Sequence, residues 1–210
     1  MPDANESSRI RLVLKKVAAL LFGPYRFNRI YQLSSANLAP DMPSGTSFRG
    51  LDGSPPASLL DPKLSERFWY GGDDAYGYGL FLEDSLAAVC WFWGPRRFDD
   101  PLLWKLENGD AILVDLLTAS SHRGHGLAPL LIKYAAAEMC RNGWSRLYTW
   151  VWHTHHASYH AFEKAGWRQI AWVLEIQPFC AGRTLRFCWR KRLKRGHGDA
   201  VRPPQRVGIG

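Results

Sequence analysis

The chain has 210 residues, of which 46% are hydrophobic and 22% charged, and its formal net charge is +8. This length favours one compact domain with a sizeable core over two domains, and the composition lies in the ordinary globular range. No stretch approaches the roughly 18 consecutive apolar residues of a membrane span, so no membrane-spanning helix is predicted. The cysteines lack C-x-x-C spacing and no secretory signal is recognised, which predicts reduced thiols in a cytoplasmic protein.

Basic residues are concentrated between Arg183 and Arg195 and continue towards Gly210. A basic surface suits an anionic partner, such as a nucleotide cofactor, an acidic lipid surface or nucleic acid. The alternative is a solvated segment without a specific partner, and residues 191–210 are interpreted as a basic flexible tail. Because no nucleic-acid-reading motif is present, no nucleic-acid partner is expected.

The N-terminal segment, residues 1–24, contains an amphipathic helical pattern. Apolar residues recur with helical spacing from Ile10 to Phe22 around several basic residues, and Gly23-Pro24 marks the end. The predicted helix either packs on the domain or lies on an anionic membrane surface. The second alternative would place the protein at the inner face of the membrane through residues 10–22.

Residues 25–190 are predicted to form a single domain, and turn-forming residues divide its first half into short elements. In chain order these are a strand at Tyr25–Leu33, a long loop at 34–56, a helix near Ala57–Phe68, strands at Tyr76–Leu82 and Leu86–Trp93 joined by a hairpin at Glu83–Ser85, and a loop at Gly94–Asn108.

The second half alternates between strand and helix, which indicates a mixed α/β fold. A buried strand leads through a glycine-bearing turn into a helix that Pro129 tolerates in its first turn and that ends before Gly143. The predicted elements are strands at Ala111–Thr118, Arg146–Trp152, Trp167–Ile176 and Thr184–Trp189, with helices at Leu127–Arg141 and Ala157–Ala165.

The turn from Arg123 to Ala128 has the composition of an anion cradle. Its sequence is Arg-Gly-His-Gly-Leu-Ala. Glycines let a ligand approach the main chain, and the following helix N-terminus presents N–H groups and partial positive charge. The spacing is neither the dinucleotide fingerprint nor the phosphate loop of NTPases. A tight connection without a ligand remains the alternative for this segment taken alone.

Two segments together resemble the GNAT superfamily of acyl-CoA-dependent N-acetyltransferases. The segment Arg123–Ala128 resembles the family's acyl-CoA loop, Arg/Gln-x-x-Gly-x-Gly/Ala. Residues His155–Trp167 are similar to its Asn-x-x-Ser-x-x-x-Tyr-x-Lys-x-Gly-Phe segment, with Ser158, Lys164 and Gly166 in register. The resemblance covers roughly residues 110 to 176.

The resemblance implies a GNAT-like α/β fold with a mixed, splayed central β-sheet flanked by helices. The sheet would open between the strands at 111–118 and 146–152, the pantetheine arm of acetyl-CoA would pair with backbone groups there, and the diphosphate would contact the turn. The cofactor-binding residues that this implies are Leu116, Leu117, Thr118, Arg123, Gly124, His125, Gly126, Leu127, Ala128, Ser158 and Phe162.

Two departures from the family pattern bear on catalysis. The usual Tyr, often the acid that protonates the thiolate, is Phe162, and the usual Asn is His155. Tyr159 precedes Phe162 by three residues, so its hydroxyl is a candidate replacement on the same side of a helix. Water or the substrate could instead supply the proton, or catalysis could be weak or absent.

Asp115 occupies the strand position where the family often has an acidic base, and we expect it to act directly or through water. Its alternative role is to accept hydrogen bonds at the sheet opening or to support the Arg123 loop. One of His155 or His156 is a further candidate base, because imidazole titrates near neutrality. His153, His155, His156 and His160 are close in sequence, but no cysteine lies nearby and no metal site is predicted.

The leading prediction is an N-acyltransferase that moves an acetyl group from acetyl-CoA to a primary amine of a small molecule or amino sugar, in a ternary complex. Trp91, Trp93, Arg96, Arg97 and Trp104 suggest an acceptor with apolar or sugar-like faces and negative charge, although packing explains the Trp residues equally well. The alternative is an acyl-CoA-binding regulatory module that has lost its chemistry. Homodimer formation is left open beside a monomer.

Overall fold

The computed structural model describes residues 23–34, 42–59, 61–100, 104–178 and 183–191. The helix predicted at 10–22 and the predicted tail beyond residue 191 lie outside the described residues. None of the helices in the described ranges is both long and apolar enough to cross a membrane.

Eight strands, two α-helices and two 3₁₀ helices are formed by these residues. In chain order they are β1 (Tyr25–Leu33), β2 (Thr46–Leu51), a 3₁₀ helix (Pro62–Tyr70), β3 (Ala75–Leu82), β4 (Ser85–Trp93), β5 (Asp110–Thr118), a 3₁₀ turn (Ser120–His122), α1 (Leu127–Arg141), β6 (Arg146–Trp152), α2 (His156–Lys164), β7 (Arg168–Ile176) and β8 (Leu185–Arg190). The elements predicted in the second half are confirmed to within a residue or two.

The long loop predicted at 34–56 was wrong in its second part, because Thr46–Leu51 forms β2. This strand lies at one end of the sheet, where its neighbour among the described strands is β3. Most of its residues are partly or fully exposed, so the alternating apolar pattern of a half-buried strand is weak in its sequence. Phe48 anchors it by stacking on Tyr78, with ring centroids 5.4 Å apart.

The helix predicted near Ala57–Phe68 begins later and is a 3₁₀ helix, Pro62–Tyr70. Asp61 caps it, since its side chain accepts a hydrogen bond from the Lys63 amide at 3.0 Å. Pro62 follows at the first helical position, which requires no N–H donor. The start of the helix is therefore determined by the Asp-Pro pair rather than by the alanine upstream.

All eight strands form one sheet in the order β2-β3-β4-β5-β6-β1-β7-β8. The neighbouring strands are antiparallel except for β5 and β6, which are parallel. Strand β1 is inserted between β6 and β7, with Asn28 opposite Trp152 on one side and Val173 on the other. The first described strand of the chain thus lies in the interior of the sheet.

The sheet opens between β5 and β6. Parallel pairing joins Asp110–Leu113 to Arg146–Thr149 and then stops. On the other side of β5, Trp91 is opposite Asp115 while Phe92 is opposite Leu113, so Val114 is an extra, bulged residue. A bulge bends its strand and increases the local twist. This opening confirms the splay predicted between 111–118 and 146–152.

The two faces of the sheet are covered differently. Helix α1 packs its apolar side on one face, where it meets α2 and the inner side chains of β3, β4 and β5. The opposite face is covered by the 3₁₀ helix Pro62–Tyr70 at one half and by the loop after β4 at the other. Aromatic side chains are buried on both faces. Trp91, Trp93, Trp104 and Trp150 belong to the clusters on the second face, and Trp144 and Trp167 to the cluster under α1.

The interior position of β1 makes Ile30 a test of this topology. Ile30 is fully buried in the cluster on the second face, and truncating such a side chain removes its transfer free energy and leaves a cavity. We expect Ile30→Ala to lower the free energy of unfolding by about 2 to 5 kcal/mol in urea denaturation. The control Gln32→Ala, at a half-exposed position of the same strand, should change it by only about 0.5 kcal/mol. Similar losses for both variants would contradict the placement of β1.

Candidate active site

A cleft of about 560 Å³ lies where β5 and β6 separate. The strands on both sides, β1 and the start of α2 line it. The lining residues are Arg26, Asn28, Leu113, Val114, Asp115, Leu116, Thr149, Trp150, Val151, Trp152, His155, Ser158 and Phe162. Five residues that the sequence pointed to are therefore together: Asp115, Leu116, His155, Ser158 and Phe162.

The closed end of the cleft is fixed by hydrogen bonds across the two strands. The Thr149 hydroxyl donates to the Leu113 carbonyl at 3.0 Å, at the last paired position. At the other end of the pairing, Arg146 Nε lies 2.6 Å from the Asp110 carboxylate and its Nη2 lies 2.7 Å from that of Glu107. Beyond Leu113, the edge of β5 that faces β6 has no strand partner among the described residues.

Asp115 is a carboxylate held in an apolar environment. Its side chain is 13% exposed, Oδ1 lies 3.6 Å from Arg67 Nη1, and Oδ2 is buried without a hydrogen-bond partner in the described structure. Burial raises the pKa of Asp115 to about 6, with the Arg67 guanidinium and the Leu116 amide opposing the increase. The group is thus ionised at neutral pH but accepts a proton far more readily than an exposed aspartate.

The structure does not bring Tyr159 to the cleft, in contrast to the prediction that it replaces the missing phenol. Its hydroxyl lies 2.5 Å from His156 Nδ1, and the Arg29 guanidinium lies 4.0 Å from the centre of its ring. Phe162, which does line the cleft, packs against Tyr31 and Trp167. The Tyr159 hydroxyl is therefore engaged by His156, and Tyr159 is not among the residues that line the cleft.

The turn after β5 has the backbone conformation that an anion cradle requires. Gly124 and Gly126 have φ values of +84° and +78°, a region that favours glycine. Gly126 is the N-terminal cap of α1 and supplies no side-chain acceptor, so the first amides of the helix are open to a ligand. The residues around it, Arg123 to Gly126, are exposed.

This turn is not part of the cleft lining itself. The chain reaches it from the cleft along Leu117 and Thr118 and through the 3₁₀ turn Ser120–His122. Arg123 Nε donates to the Thr118 carbonyl at 3.3 Å, which ties the turn to the end of β5. The predicted residues thus form a continuous track along β5 rather than one pocket.

A second cavity of about 510 Å³ adjoins the cleft. The two cavities share Arg26, Val114 and Trp150. The remaining lining residues of the second are Tyr70, Trp93, Arg97, Phe98, Asp99 and Asp100. Burial and the Asp115 carboxylate raise the pKa of Tyr70, against the effect of Arg67. Val114, which lines both cavities, is the residue next to Asp115 in the chain.

Of the aromatic and basic residues suggested for an acceptor, Trp93 and Arg97 line this cavity and three do not. Trp91 is a core residue, 1% exposed. Arg96 projects into solvent and faces Asp74 at 3.7 Å. Trp104 packs edge-on against Tyr148, with centroids 5.3 Å apart.

The residues that sequence reasoning missed in and beside the two cavities include Arg26 and Asn28 on β1, and Arg67 and Tyr70 on the 3₁₀ helix. Asn28 is 3% exposed although it is polar. At two-residue spacing its neighbours in sequence are Arg26, Ile30 and Gln32, so the pattern did not mark Asn28 as buried. Arg67 and Tyr70 gave no sequence signal, because they are more than forty residues from Asp115 and approach it only in the folded chain.

The four histidines near α2 point to different partners. His155 lines the cleft, His153 contacts the Phe27 carbonyl, His156 contacts Tyr159, and His160 faces Glu163. Across the described residues, no group of three or more His, Cys, Asp or Glu side chains is arranged to hold a metal ion.

The family of the chain follows from a match to a sequence model of known proteins. Residues 47–167, more than half of the chain, match the model of the acetyltransferase (GNAT) family. The chain belongs to this family, whose members carry out acyl-CoA-dependent acyl transfer. Strand β1 lies outside the matched range, so two of the cleft residues, Arg26 and Asn28, come from a segment outside the match.

Solved structures support the same fold. The chain is similar to a tandem GNAT protein from the clavulanic acid biosynthesis pathway, with a TM-score of 0.53 and 16% identity, covering 76% of this chain and 55% of that one. A GNAT-family protein of Novosphingobium aromaticivorans has a TM-score of 0.51 and 17% identity, covering 74% of this chain and 65% of that one. A GCN5-related N-acetyltransferase from Sphaerobacter thermophilus has a TM-score of 0.50 and 18% identity, covering 83% of this chain and 57% of that one.

The chain spans less than two thirds of the length of each of these three structures. At these identities the similarity establishes the fold. No curated protein matches the sequence.

Replacing Asp115 by Asn is expected to increase stability at neutral pH. Because burial raises the pKa of Asp115 from 3.8 to about 6, the folded state binds this proton more tightly than the unfolded state. The free energy of unfolding therefore falls as the pH rises from 3.8 to about 6. Above the folded-state pKa the ionised Asp115 destabilises the fold by its full amount, at most about 3 kcal/mol. Asp115→Asn should unfold at a higher urea concentration than the wild type near pH 7, and the difference should shrink as the pH falls towards about 4.

Asp110→Asn, at the other end of the same strand, provides the matched control. Asp110 is 1% exposed and accepts a hydrogen bond from Arg146 at 2.6 Å, so its replacement should lower stability near pH 7. Equal destabilisation by both substitutions would show that Asp115 is also a satisfied structural carboxylate.

Proposed function

We propose that this protein transfers an acetyl group from acetyl-CoA to a primary amine of a small molecule, by direct attack of the amine within a ternary complex. The observation that carries the proposal is the buried Asp115 carboxylate, whose Oδ2 has no partner in the described residues and which lies beside both cavities. A buried carboxylate oxygen without a partner is costly. A substrate ammonium group would provide the missing partner.

The acyl donor would approach along β5. The unpaired edge of β5 beyond Leu113 offers main-chain groups to the amides of the pantetheine arm. The diphosphate would bind the turn Arg123–Ala128, where the amides at the start of α1 have no side-chain cap and the helix N-terminus favours an anion. The guanidinium of Arg123 adds positive charge at the same place. Ser158 and Phe162 would line the arm from the side of α2.

The reaction needs a free amine and a proton for the departing thiolate. Asp115 would accept a proton from the bound ammonium, and a pKa near 6 makes it a suitable base at neutral pH. The amine nitrogen then forms a bond to the thioester carbonyl carbon, and the C–S bond breaks to release the CoA thiolate. As the amide forms, the nitrogen loses its second proton. Because Phe162 has no proton to give, that proton would reach the thiolate through His155 at the cleft wall or through water.

Removing the base should reduce turnover while donor binding survives. We expect Asp115→Asn to lower kcat by about 10²- to 10⁴-fold in an assay of CoA release. The affinity for acetyl-CoA, measured by calorimetry, should be nearly unchanged, because the diphosphate site is at the far end of β5. In the wild type, kcat/KM should fall as the pH drops below about 6, where Asp115 becomes protonated. Wild-type activity in the variant would exclude Asp115 as the base.

The diphosphate site is tested by a pair of glycines at the two ends of α1. Gly126 has φ +78° and Gly143 has φ +90°, and a Cβ at either position would meet no described atom within 4 Å. Alanine is therefore strained alike at both, by about 1 to 2 kcal/mol, but only Gly126 orients the N-terminal amides. We expect Gly126→Ala to weaken acetyl-CoA binding about tenfold in calorimetry, and Gly143→Ala to leave it unchanged. Equal affinities would place the diphosphate elsewhere.

Phe162 favours a second candidate function, an acyl-CoA-binding module without chemistry. Both functions require binding of acetyl-CoA, but only the transferase releases CoA in the presence of an amine. Tight acetyl-CoA binding with no CoA release across a panel of primary amines would support the module. CoA release that depends on both amine and Asp115 would support the transferase.

A further inference from the structure

Arg97 is held in a fixed place in the wall of the second cavity. Its guanidinium carbon lies 4.7 Å from the centre of the Trp93 ring, and Nη1 donates to the Asp73 carbonyl at 3.3 Å. The main chain of Gly72 approaches so closely that a Cβ there would lie 2.8 Å from Nη1. The side chain is thus positioned by stacking and by backbone rather than by a carboxylate.

The Arg97 guanidinium lacks the direct carboxylate partner that its neighbours have among the described residues. Its neighbours in and around the cavity do have acidic partners: Arg26 lies 3.1 Å from Asp100 and 3.4 Å from Glu175, and Arg96 lies 3.7 Å from Asp74. No carboxylate of the described residues is within ion-pair distance of Arg97, although Asp99 lines the same cavity. Moreover, Arg97 Nε is buried without a hydrogen-bond partner there.

The walls of the cavity are aromatic. Tyr70, Trp93 and Trp150 line it, and the Trp93 indole N–H donates to the Tyr70 carbonyl at 2.8 Å, which fixes the two elements together. Trp69, 64% exposed, packs against Tyr70 at a tilted angle with a centroid distance of 4.1 Å. A small molecule in this cavity would therefore lie between flat apolar faces, with the Arg97 guanidinium on one side and Asp115 beyond Val114.

We infer that the acceptor is a primary amine that also carries an anionic group, a carboxylate or a phosphate, which binds Arg97 while the amine is presented to Asp115. A guanidinium can donate parallel hydrogen bonds to either anion. Because Nε is buried and Nη1 already donates once to the Asp73 carbonyl, Nη2 and the second N–H of Nη1 are the donors left for the anion. Trp93 and Tyr70 would pack against the part of the acceptor that joins the two groups. This inference rests on the proposed acyl transfer and specifies its acceptor.

The experiment compares amines that differ mainly in the anionic group. CoA release from acetyl-CoA is measured for 4-aminobutyrate against 4-aminobutanamide, O-phosphoethanolamine against ethanolamine, and glucosamine 6-phosphate against glucosamine. The anionic member of at least one pair should have a kcat/KM about ten- to a hundredfold higher, as expected for a hydrogen-bonded charge pair. A preference within the first pair would indicate a carboxylate, and a preference within either of the other two pairs would indicate a phosphate. Raising the ionic strength should reduce the preference.

Arg97→Gln supplies the structural test, with Arg96→Gln as its matched control. The first variant should lower kcat/KM for the preferred anionic amine about tenfold or more, and considerably more than for its neutral counterpart. Arg96→Gln removes the same charge from the adjacent residue, which is 81% exposed and does not line the cavity, and should leave the preference intact. A preference that disappears equally in both variants would assign the effect to net charge and overturn the role of Arg97.

Failure of this inference and failure of the proposed function give different results. Acyl transfer with equal or better rates for the neutral amines would overturn the anionic acceptor and leave the transferase in place. If no amine is acetylated, binding of the anionic amines is measured by calorimetry in the presence of CoA. Binding that Arg97→Gln abolishes would support the anion site in a protein without turnover, and its absence beside intact CoA binding would overturn the site.

Discussion

The pairing of β5 with β6 stops at Leu113, and the cleft exists because of this stop. Up to that point the two strands are joined as an ordinary parallel pair, locked by the Thr149 hydroxyl on the Leu113 carbonyl. The extra residue Val114 on the opposite edge bends β5 and carries it away from β6. Everything that the site requires follows from the bend: an unpaired strand edge for the donor, an opening towards the second cavity, and Asp115 at the point where the two meet.

Asp115 illustrates how a site of this kind is stabilised by the rest of the fold. The sheet forms around a carboxylate that burial makes difficult to ionise, and the compensating cation, Arg67, lies 3.6 Å away on a helix from another part of the chain. A closer, fully hydrogen-bonded contact between Arg67 and Asp115 would favour folding. It would also lower the pKa of Asp115 and leave no carboxylate lone pair for a substrate. The long contact keeps the group both charged and available, which is the combination a base needs.

The parts of this structure that could be predicted from sequence are those that local interactions determine. Strand β5, the glycine turn and α1 follow one another within a short stretch, and their patterns and caps suffice to locate them; the motif resemblance then gave the sheet opening. The place of β1 could not be found in this way, because its pattern indicates a strand without indicating its neighbours. The same holds for Arg67 and Tyr70, which reach Asp115 only through the tertiary packing of a 3₁₀ helix. The position of Tyr159 depends on contacts that helical spacing does not specify: its hydroxyl contacts His156, and the Arg29 guanidinium of β1 lies over its ring.

The position of β1 has a consequence for how the molecule assembles. Strands β6 and β7 follow one another along the chain, yet in the described sheet each is paired to β1 instead of to the other. The hydrogen-bonding partners of β1 are strands more than a hundred residues later in the chain. During synthesis, β1 therefore cannot pair until those strands have left the ribosome. Contacts between such remote segments slow folding. Synthesis of nearly the whole domain thus precedes completion of the cleft, and an incomplete nascent chain holds neither Arg26 nor Asn28 in place to engage a ligand prematurely.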